Sequence, residues 1–582
     1  MFLQDKIKKL KKIYYLAFDS QDKKRLSKLM YFMFAGTLLE LFSVGLIFPA
    51  IKLLTDNEFL TKSYSLLNIE ALETEILLLT IVIIFITFFG FKNIFLWFVL
   101  KKYVVFLARY EAKLQTKLFR GYLGKSVSYF KEKNSSDIIL SIKEISSFFS
   151  SVYLNALITL FLEITIQTLI LVLLFYFSWQ STLPVFTLFG FLTLIIFSFS
   201  KKKLAKLGKL RNEFSQKQLL NIQQGIGGIK EIKLLSKELF FLKRFINNTD
   251  VLVEANIKNA MISGTPRLLI EFFAVCSVGL IIFVFLSLGK SIAEILPVLG
   301  LFLVAAYKMV PSFNKILLMM NRIKFSTDMV NRIVNLSAEF KNEEVDFDKN
   351  AIVEKMNFKR QLELNDINFR YPTREEQILS DINLLIDKNS FIGISGESGS
   401  GKSTLIDIIM GITKPDNGEI KVDGKFINDS ISKWQKNIGY VSQNIFIIPG
   451  TIKHNIAFGV DEDKIDEQLV HEVVKKTSLK FFIDSLELGI DTHVGEGGGL
   501  ISGGQKQRIG IARALYNKPE LLVFDEATSS LDLETEKEIL NEIYALKKEF
   551  TLIFISHRES SIKYCDRKYQ IKNQKLLEIS SN

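Results

Sequence analysis

Residues Gly396-Glu-Ser-Gly-Ser-Gly-Lys-Ser-Thr404 carry the spacing G-x-x-x-x-G-K-[ST] directly after the β-prone run Ser390 to Ser395. The chemistry this suits is phosphate binding. Within the stretch formed by Gly396, Ser398, Gly399, Ser400, Gly401, Lys402, Ser403 and Thr404, glycine lets the backbone wrap with its N–H groups aimed at phosphate oxygens, and a helix starting near Lys402 adds its positive dipole end. Lys402 would neutralise β/γ-phosphate charge, and Ser403 offers a hydroxyl to Mg²⁺, a hard ion that takes oxygen ligands. A second element lies further along. The apolar run Leu521 to Phe524 is followed by Asp525 and Glu526, so a buried strand would deliver two carboxylates to one edge. Asp525 is placed to hold the Mg²⁺ shell and Glu526 to polarise an attacking water, the positioning work on which phosphoryl transfer depends.

Such groups need a sheet and helices to hold them, and from Gln361 onward the texture is that of a soluble α/β domain: short β-rich runs (Phe391 to Ile394, Leu521 to Phe524) alternate with charge-flecked helical segments. The first part of the chain is different. The whole has 582 residues, 48% hydrophobic and 23% charged, with a mean hydropathy of +0.23. That composition excludes a mainly disordered chain. Six apolar runs fall before residue 330, each long enough for a bilayer core of roughly 30 Å: about Leu29 to Leu54, Ile76 to Leu100, Val152 to Trp179, Thr182 to Ser200, Leu268 to Leu288 and Ile292 to Pro311. Tight hairpins are expected at Trp179-Gln180-Ser181 and at Gly289-Lys290-Ser291. Lysines and arginines crowd residues 1–28, 101–133 and 201–211, whereas the segment between the first two runs has only Lys62 against five carboxylates. Short basic loops resist translocation, so both termini are expected in the cytoplasm. The opening residues lack the apolar core and cleavage site of a removable signal peptide. The expected domains are a membrane part over 1–335 with cytoplasmic loops at 101–151 and 201–267, a linker over 336–360, and a nucleotide domain over 361–582. Two cysteines, Cys276 and Cys565, in stretches of opposite character exclude a disulfide framework or a Cys-based zinc site.

About 20 residues before the carboxylate pair stands Ile501-Ser-Gly-Gly-Gln505, and with it the chain resembles the ATP-binding cassette transporters. Further matches are Tyr371, Gln443 in Tyr-Val-Ser-Gln, Glu496 in Val-Gly-Glu-Gly, Ser530-Leu531-Asp532, and His557 in Ile-Ser-His-Arg. The resemblance implies ATP and Mg²⁺, with Tyr371 stacked on adenine, Gln443 touching Mg²⁺ and sensing the membrane domain, and His557 contacting the γ-phosphate. Taken singly, Tyr371 is equally a core aromatic, Gln443 a loop polar group and His557 a strand-end histidine. Ser502, Gly503, Gly504 and Gln505 open a helix that forms a second anion cradle, which in the family closes, together with Asp532, over ATP held by another copy. One membrane domain and one nucleotide domain therefore make half of a type IV exporter, completed most simply as a homodimer with twelve spans. Ile501 stands where the family usually has Leu, and Ser556 where Ala is common. The stretch Gln223 to Ile232 is similar to the exporter pattern in which a glycine-containing segment precedes a helix that docks on the nucleotide domain; a solvated helix is the alternative.

The membrane part is also similar to the PglK-type and Wzk-type half-transporters, which flip polyprenyl-pyrophosphate-linked oligosaccharides to the outer leaflet of the bacterial inner membrane. The matching residues are Glu40 with Phe48-Pro49 downstream, Pro266-Arg267, and Tyr307-Lys308 with Pro311-Ser312. Ionisable groups inside apolar runs are costly and point to function. By the resemblance Lys92, Arg267 and Lys308 would engage pyrophosphate in an inner cavity, although lysine loses the planar fork of arginine. Pairing with Glu40, Glu163 or Glu271, or snorkelling to an interface, is the competing account. Residues 57 to 75 would form an external helix that meets a lipid tail or caps its own spans. Lipid A, a peptide or hydrophobic drugs are alternative cargoes. A non-transporting regulator would not need Glu526 and His557, and a nucleic-acid ATPase would need its basic residues on one soluble face instead of beside the spans.

Overall fold

The computed structural model describes residues 18–46, 74–287, 292–341, 354–371, 376–528, 532–557 and 559–579, and the chain divides near residue 345 into two compact units. The first unit is helical. Helix α1 (Ser20–Gly45) is followed by α2 (Thr74–Leu123), whose 50 residues reach about 75 Å at 1.5 Å per residue, more than twice a bilayer core. Residues 101–123 are thus an extension of a span, where a loop was expected, because neither Gly nor Pro interrupts the run from Phe91 to Arg120. Short helices α3 (Val127–Glu132) and α4 (Ser135–Leu140) and two π-helical stretches (Ser141–Ile145 and Phe149–Leu154) lead into α5 (Asn155–Gly227). After Gly228 come α6 (Ile229–Leu234), α7 (Glu238–Ser287), α8 (Ile292–Phe325) and α9 (Thr327–Lys341). The second expected loop, 201–267, is therefore helical as well, apart from the breaks around Gly228 and Ser236. Among the described residues, four stretches are long and apolar enough to cross a membrane: Ser20–Ser43, Leu79–Leu123, Ser135–Tyr176 and Glu238–Leu280.

The helix assigned over Asn155–Gly227 includes Trp179, Gln180 and Ser181, where a tight hairpin was expected. The chain reverses all the same. On α8 the Gln167 side chain donates to the Met309 carbonyl and Glu163 meets Ser312 and Lys315, so α5 runs antiparallel to α8 at first. Beyond residue 200 the pairing ascends: Gly208 abuts Phe325, and the Asn212 amide donates to Asp328. Only a turn between residues 167 and 208 satisfies both. Pro184 lies in that interval by sequence, and a proline lacks the backbone donor that continues a helix.

Where the helices leave the apolar zone they share a core of Phe18, Tyr110, Leu118, Tyr122, Phe149, Ile333 and Phe340 among others. Close approach is built in. A Cβ at Gly121 would lie 2.3 Å from the Phe340 ring, and one at Gly208 would lie 1.8 Å from the Phe325 carbonyl oxygen. The external helix expected at 57–75 lies outside the described residues up to 73, and residues 74 and 75 open α2. Gly289-Lys290-Ser291 and Phe48-Pro49 also lie outside them. The expected linker begins inside α9, and residues 342–353 are outside the described set.

The second unit has two sheets. One is antiparallel, in the order β2-β1-β4-β5, from β1 (Gln361–Phe369), β2 (Leu379–Asp387), β4 (Asn417–Val422) and β5 (Lys425–Phe426). The other has the order β10-β9-β3-β8-β7-β6: β3 (Phe391–Gly396), β6 (Ile438–Val441), β7 (Leu521–Asp525), β8 (Thr551–Ile555) and β9 (Arg567–Lys572) run parallel, and β10 (Lys575–Ile579) closes the edge as a hairpin with β9. Parallel strands covered on both faces read as continuous apolar runs. Accordingly β8 is buried at every position and β7 at all but Asp525. The register pairs Ile394 with Ile555, Asp525 with Ile555, and Val441 with Phe524. Four strand ends thereby finish level along one edge.

Gly208→Ala should destabilise the helical unit by about 1–3 kcal/mol, because the added methyl overlaps a backbone carbonyl that cannot rotate away. Gly90, with nothing within 4 Å of its would-be Cβ, is the matched control, and Gly90→Ala should leave stability unchanged or slightly raised. Thermal unfolding of the two variants in detergent checks this; equal melting temperatures would contradict the packing.

Candidate functional site

The level strand ends create a crevice at the carboxyl edge of the parallel sheet, where ligands of open α/β sheets bind. The loop leaving β3 borders it. Gly396, Gly399 and Gly401 have φ of 154°, 82° and 103°, and at Gly401 a Cβ would lie 2.9 Å from Ile378, so the left-handed turn has no room for a side chain. Helix α10 (Lys402–Ile409) starts at once after Gly401 with no side-chain cap, which leaves its first N–H groups available to an anion. Lys402 is buried, and its Nζ donates to the carbonyls of Gly396 and Glu397 at 2.8 and 2.9 Å while standing 3.9 Å from Glu526. The Ser400 Oγ is buried without a hydrogen-bond partner. A cradle of backbone donors, an orphaned hydroxyl and a buried ammonium fits phosphate oxygens.

Opposite the loop, β7 delivers Asp525 and Glu526. Burial is the largest influence on Asp525 and raises its carboxyl above the usual range; the Tyr440 hydroxyl opposes this, and the Glu526 charge adds to it. Tyr440 donates to Asp525 Oδ2 at 3.3 Å, and Ser403 Oγ stands 3.4 Å from Oδ1. Two adjacent carboxylates and a hydroxyl at the foot of a phosphate loop suit a hard divalent cation bound through oxygen. Glu526 itself sits at φ 49°, a left-handed conformation costing a non-glycine residue roughly 1 kcal/mol or more. Its N–H is held by the Ile555 carbonyl at 3.1 Å. Gln443, just past β6, donates to Glu526 Oε2 at 3.2 Å, and His557, just past β8, brings Nδ1 to 3.8 Å from the same oxygen. Tyr371 lies across the loop, with its hydroxyl 3.1 Å from Thr404 Oγ1 and its ring edge-on to Phe369. A cavity of about 390 Å³ is lined by Tyr371, Ser398, Lys402, Ser403, Gln443 and Glu526 together with their neighbours.

The other glycine cradle is elsewhere. Helix α12 (Gly503–Tyr516; α11 is Glu467–Lys476) is capped by Ser502, whose Oγ accepts from Gln505 N at 3.3 Å while Gln505 Oε1 accepts from Ser502 N at 2.7 Å. This is a reciprocal capping box. Asp532 caps α13 (Leu533–Leu546) by accepting from Thr535 N at 3.0 Å, a bond that holds its carboxyl below the usual range. A Cβ at Gly504 would lie 2.8 Å from Thr535. Ser502, Gly503, Gly504, Gln505 and Asp532 are not among the residues lining the cavity. Ser530 and Leu531 lie outside the described residues.

Of the three basic residues expected to share a cavity, Lys92 is buried beneath Phe89, its Nζ 4.2 Å from the ring centre. Lys308 reaches Glu40 at 3.4 Å. Arg267 is exposed and paired with Glu271, one turn away on α7, at 2.7 Å. Two of the three thus hold carboxylates in this conformation, as the competing account has it. Glu163 is buried and takes Ser312 at 2.5 Å and Lys315 at 3.0 Å. Tyr440 and Lys315 escaped the sequence reading, and Ser312 was noted beside Pro311 without its carboxylate partner Glu163. The alternation Gly439 in, Tyr440 out, Val441 in could have flagged the first, whereas nothing local marks Lys315.

Glu526→Gln should lower ATP turnover by about 10²–10⁴ while nucleotide binding persists, because the amide keeps the shape and loses the base. Tyr440→Phe should weaken Mg²⁺-dependent ATP binding by about 2–10-fold, the worth of one hydrogen bond. Phosphate release in lipid and binding of a fluorescent ATP analogue check both; full turnover by Glu526→Gln would remove that residue from the chemistry.

A profile of the ABC transporter family matches residues 379–529, and one of the ABC transporter transmembrane region matches residues 29–306. Similar curated proteins include the ATP-dependent lipid A-core flippases of Pectobacterium atrosepticum, 27% identical over 478 residues (80% of this chain, 79% of that one), and of Desulfotalea psychrophila, 29% identical over 473 residues (80% of each). ABC transporter B family member 1 of Dictyostelium discoideum is 29% identical over 488 residues, 81% of this chain and 52% of its own. A solved structure described as a bacterial Atm1-family ABC exporter with ATP bound matches with a TM-score of 0.76 at 18% identity, over 97% of this chain and 96% of that one, a likeness of fold. The chain belongs to the ABC transporters: a multi-pass membrane domain of exporter fold joined in one polypeptide to the ATPase domain whose hydrolysis of ATP drives transport.

Proposed function

We propose that two copies of this chain form a flippase that moves an amphipathic lipid with a phosphorylated sugar headgroup, of the lipid A-core class, across the bacterial inner membrane. The observation that carries this is the similarity over four fifths of the chain, membrane part included, to proteins named lipid A-core flippases. Six passes per copy with both termini in the cytoplasm agree with the placement of Lys and Arg. In each site the loop from Gly396 to Thr404 and Lys402 hold the phosphates, and Tyr371 packs on the base. Glu526 orients the attacking water, with His557 and Gln443 beside it. Ser403, Asp525 and Gln443 would hold Mg²⁺, which supplies charge neutralisation on the phosphates. Ser502, Gly503, Gly504, Gln505 and Asp532 act on the nucleotide of the partner copy, since one chain does not bring both cradles to one cavity. ATP must bind the closed dimer better than the open one for its energy to move the membrane domain.

A second cargo, a polyprenyl-pyrophosphate-linked oligosaccharide, fits the same chemistry. Among the described residues, Lys92 and Lys308 share the single carboxylate of Glu40, and in the apolar spans an excess positive charge favours an anionic headgroup of either lipid. Reconstitution in liposomes with a labelled lipid A analogue or a labelled polyprenyl-pyrophosphate oligosaccharide decides. ATP-dependent transfer of the first between leaflets, lost in Glu526→Gln, is expected. Transfer of the second alone would reassign the cargo, and transfer of neither, despite ATP turnover, would refute lipid flipping.

A further inference from the structure

A second cavity of about 300 Å³ lies wholly within the helical unit, between the start of α1 and the extension of α2. Its walls carry Arg25, Lys28, Lys102, Arg109 and Lys113 against the single carboxylate of Asp22, above Leu29, Phe32, Val105, Phe106 and Tyr110. The register of the two helices is pinned at both ends. Phe32 meets Phe98 edge-on at 6.0 Å, and about three to four turns further out Lys113 bridges Asp19 and Asp22 at 2.8 and 2.7 Å. Lys28 and Lys102 therefore stand level, each at the end of its helix's apolar run, which is the border of the bilayer core. Arg25 and Arg109 lie a turn or two beyond it, at the depth of lipid headgroups. Asp19 and Asp22 are already engaged by Lys113, and the charged heads of Arg25, Lys28, Lys102 and Arg109 have no carboxylate partner among the described residues. Four unneutralised cations around an amphipathic hollow would repel one another unless an anion sits between them.

We infer that this cavity binds the phosphate headgroup of an anionic bilayer phospholipid, whose acyl chains lie along the apolar surface toward Phe32. Basic pockets between spans on the cytoplasmic side have the charge and the depth for such headgroups. Four cations match two phosphates better than one, so a diphosphate headgroup such as that of cardiolipin binds more tightly than phosphatidylglycerol, and zwitterionic phosphatidylcholine does not compete. The site is separate from the ATP cavity and from the charged residues inside the spans.

The test uses the full-length protein in phosphatidylcholine nanodiscs, titrated with cardiolipin, with phosphatidylglycerol, or with inorganic pyrophosphate as the free-phosphate arm, and reads bound lipid per protomer by native mass spectrometry. Arg25→Gln with Arg109→Gln should lose about 10–30-fold in cardiolipin affinity, near the worth of two basic side chains at an anionic surface. Lys24→Gln with Lys101→Gln removes the same charge from α1 and α2 outside the cavity lining and should bind cardiolipin as the parent does. Basal ATP turnover in pure phosphatidylcholine should be unchanged in both, which reports folding. Equal loss in the two double variants would reduce the effect to bulk charge and overturn the site. Pyrophosphate that displaces cardiolipin at comparable concentration would assign the cavity to a soluble phosphate, and cardiolipin binding unaffected by Arg25→Gln with Arg109→Gln would remove the site altogether.

Discussion

Everything in the ATPase domain turns on placing a highly charged anion and two carboxylates within a few ångströms of each other without unfolding the protein. Lys402 is nearly enclosed, and it satisfies itself on the carbonyls of its own loop while Glu526 stands 3.9 Å away, a long ion pair. The buried Ser400 hydroxyl of the same loop and the raised Asp525 carboxyl are further unfinished interactions. Each is costly in isolation, and each would be relieved by a metal-bound triphosphate. The sheet makes this possible. With β3, β6, β7 and β8 held in register by apolar residues on both faces, the loop, the carboxylates, Gln443 and His557 leave the sheet at the same level.

The membrane unit meets a related constraint with the opposite solution. Charges inside its spans are paired where they can be: Lys308 with Glu40, Lys315 and Ser312 with Glu163. A pair of this kind contributes little net stability, but breaking one leaves a charge stranded among apolar side chains. Such pairs therefore fix which faces of α1, α5 and α8 meet. The helices also run on beyond the bilayer border, so that the core around Tyr122, Phe149 and Phe340 is built by the same continuous elements as the spans.

The ATP cavity was legible in the sequence because its parts are local: a strand, a glycine turn and a helix start are consecutive residues, and the carboxylates end a single apolar run. The membrane residues were not legible in the same way. Whether Lys308 faces a cargo or Glu40, 268 residues away, is a tertiary fact that spacing does not contain. The stretches after the second and fourth apolar runs looked like loops because they are charged, yet charged straight-chain residues are good helix formers and nothing in Phe91 to Arg120 stops the helix. The polar break at Trp179 pointed to a hairpin, and the reversal that the contacts of Gln167 and Gly208 require falls in the interval that contains it. Tyr440 shows the limit of motif reading, since its neighbours in Tyr-Val-Ser-Gln drew notice and its own hydroxyl, on Asp525, did not.

The central claim is that each ATP is held by the phosphate loop of one copy and the Ser502 cradle of the other. The direct measurement is ATP turnover of two copies fused in tandem, with Lys402→Ala and Ser502→Arg placed either both in one copy or one in each. Split between copies, the changes fall on the same shared site and leave the other whole, so about half the parental turnover should survive; combined in one copy, they damage both sites and turnover should vanish. The reverse pattern would mean that each chain closes on its own nucleotide, and would contradict the account.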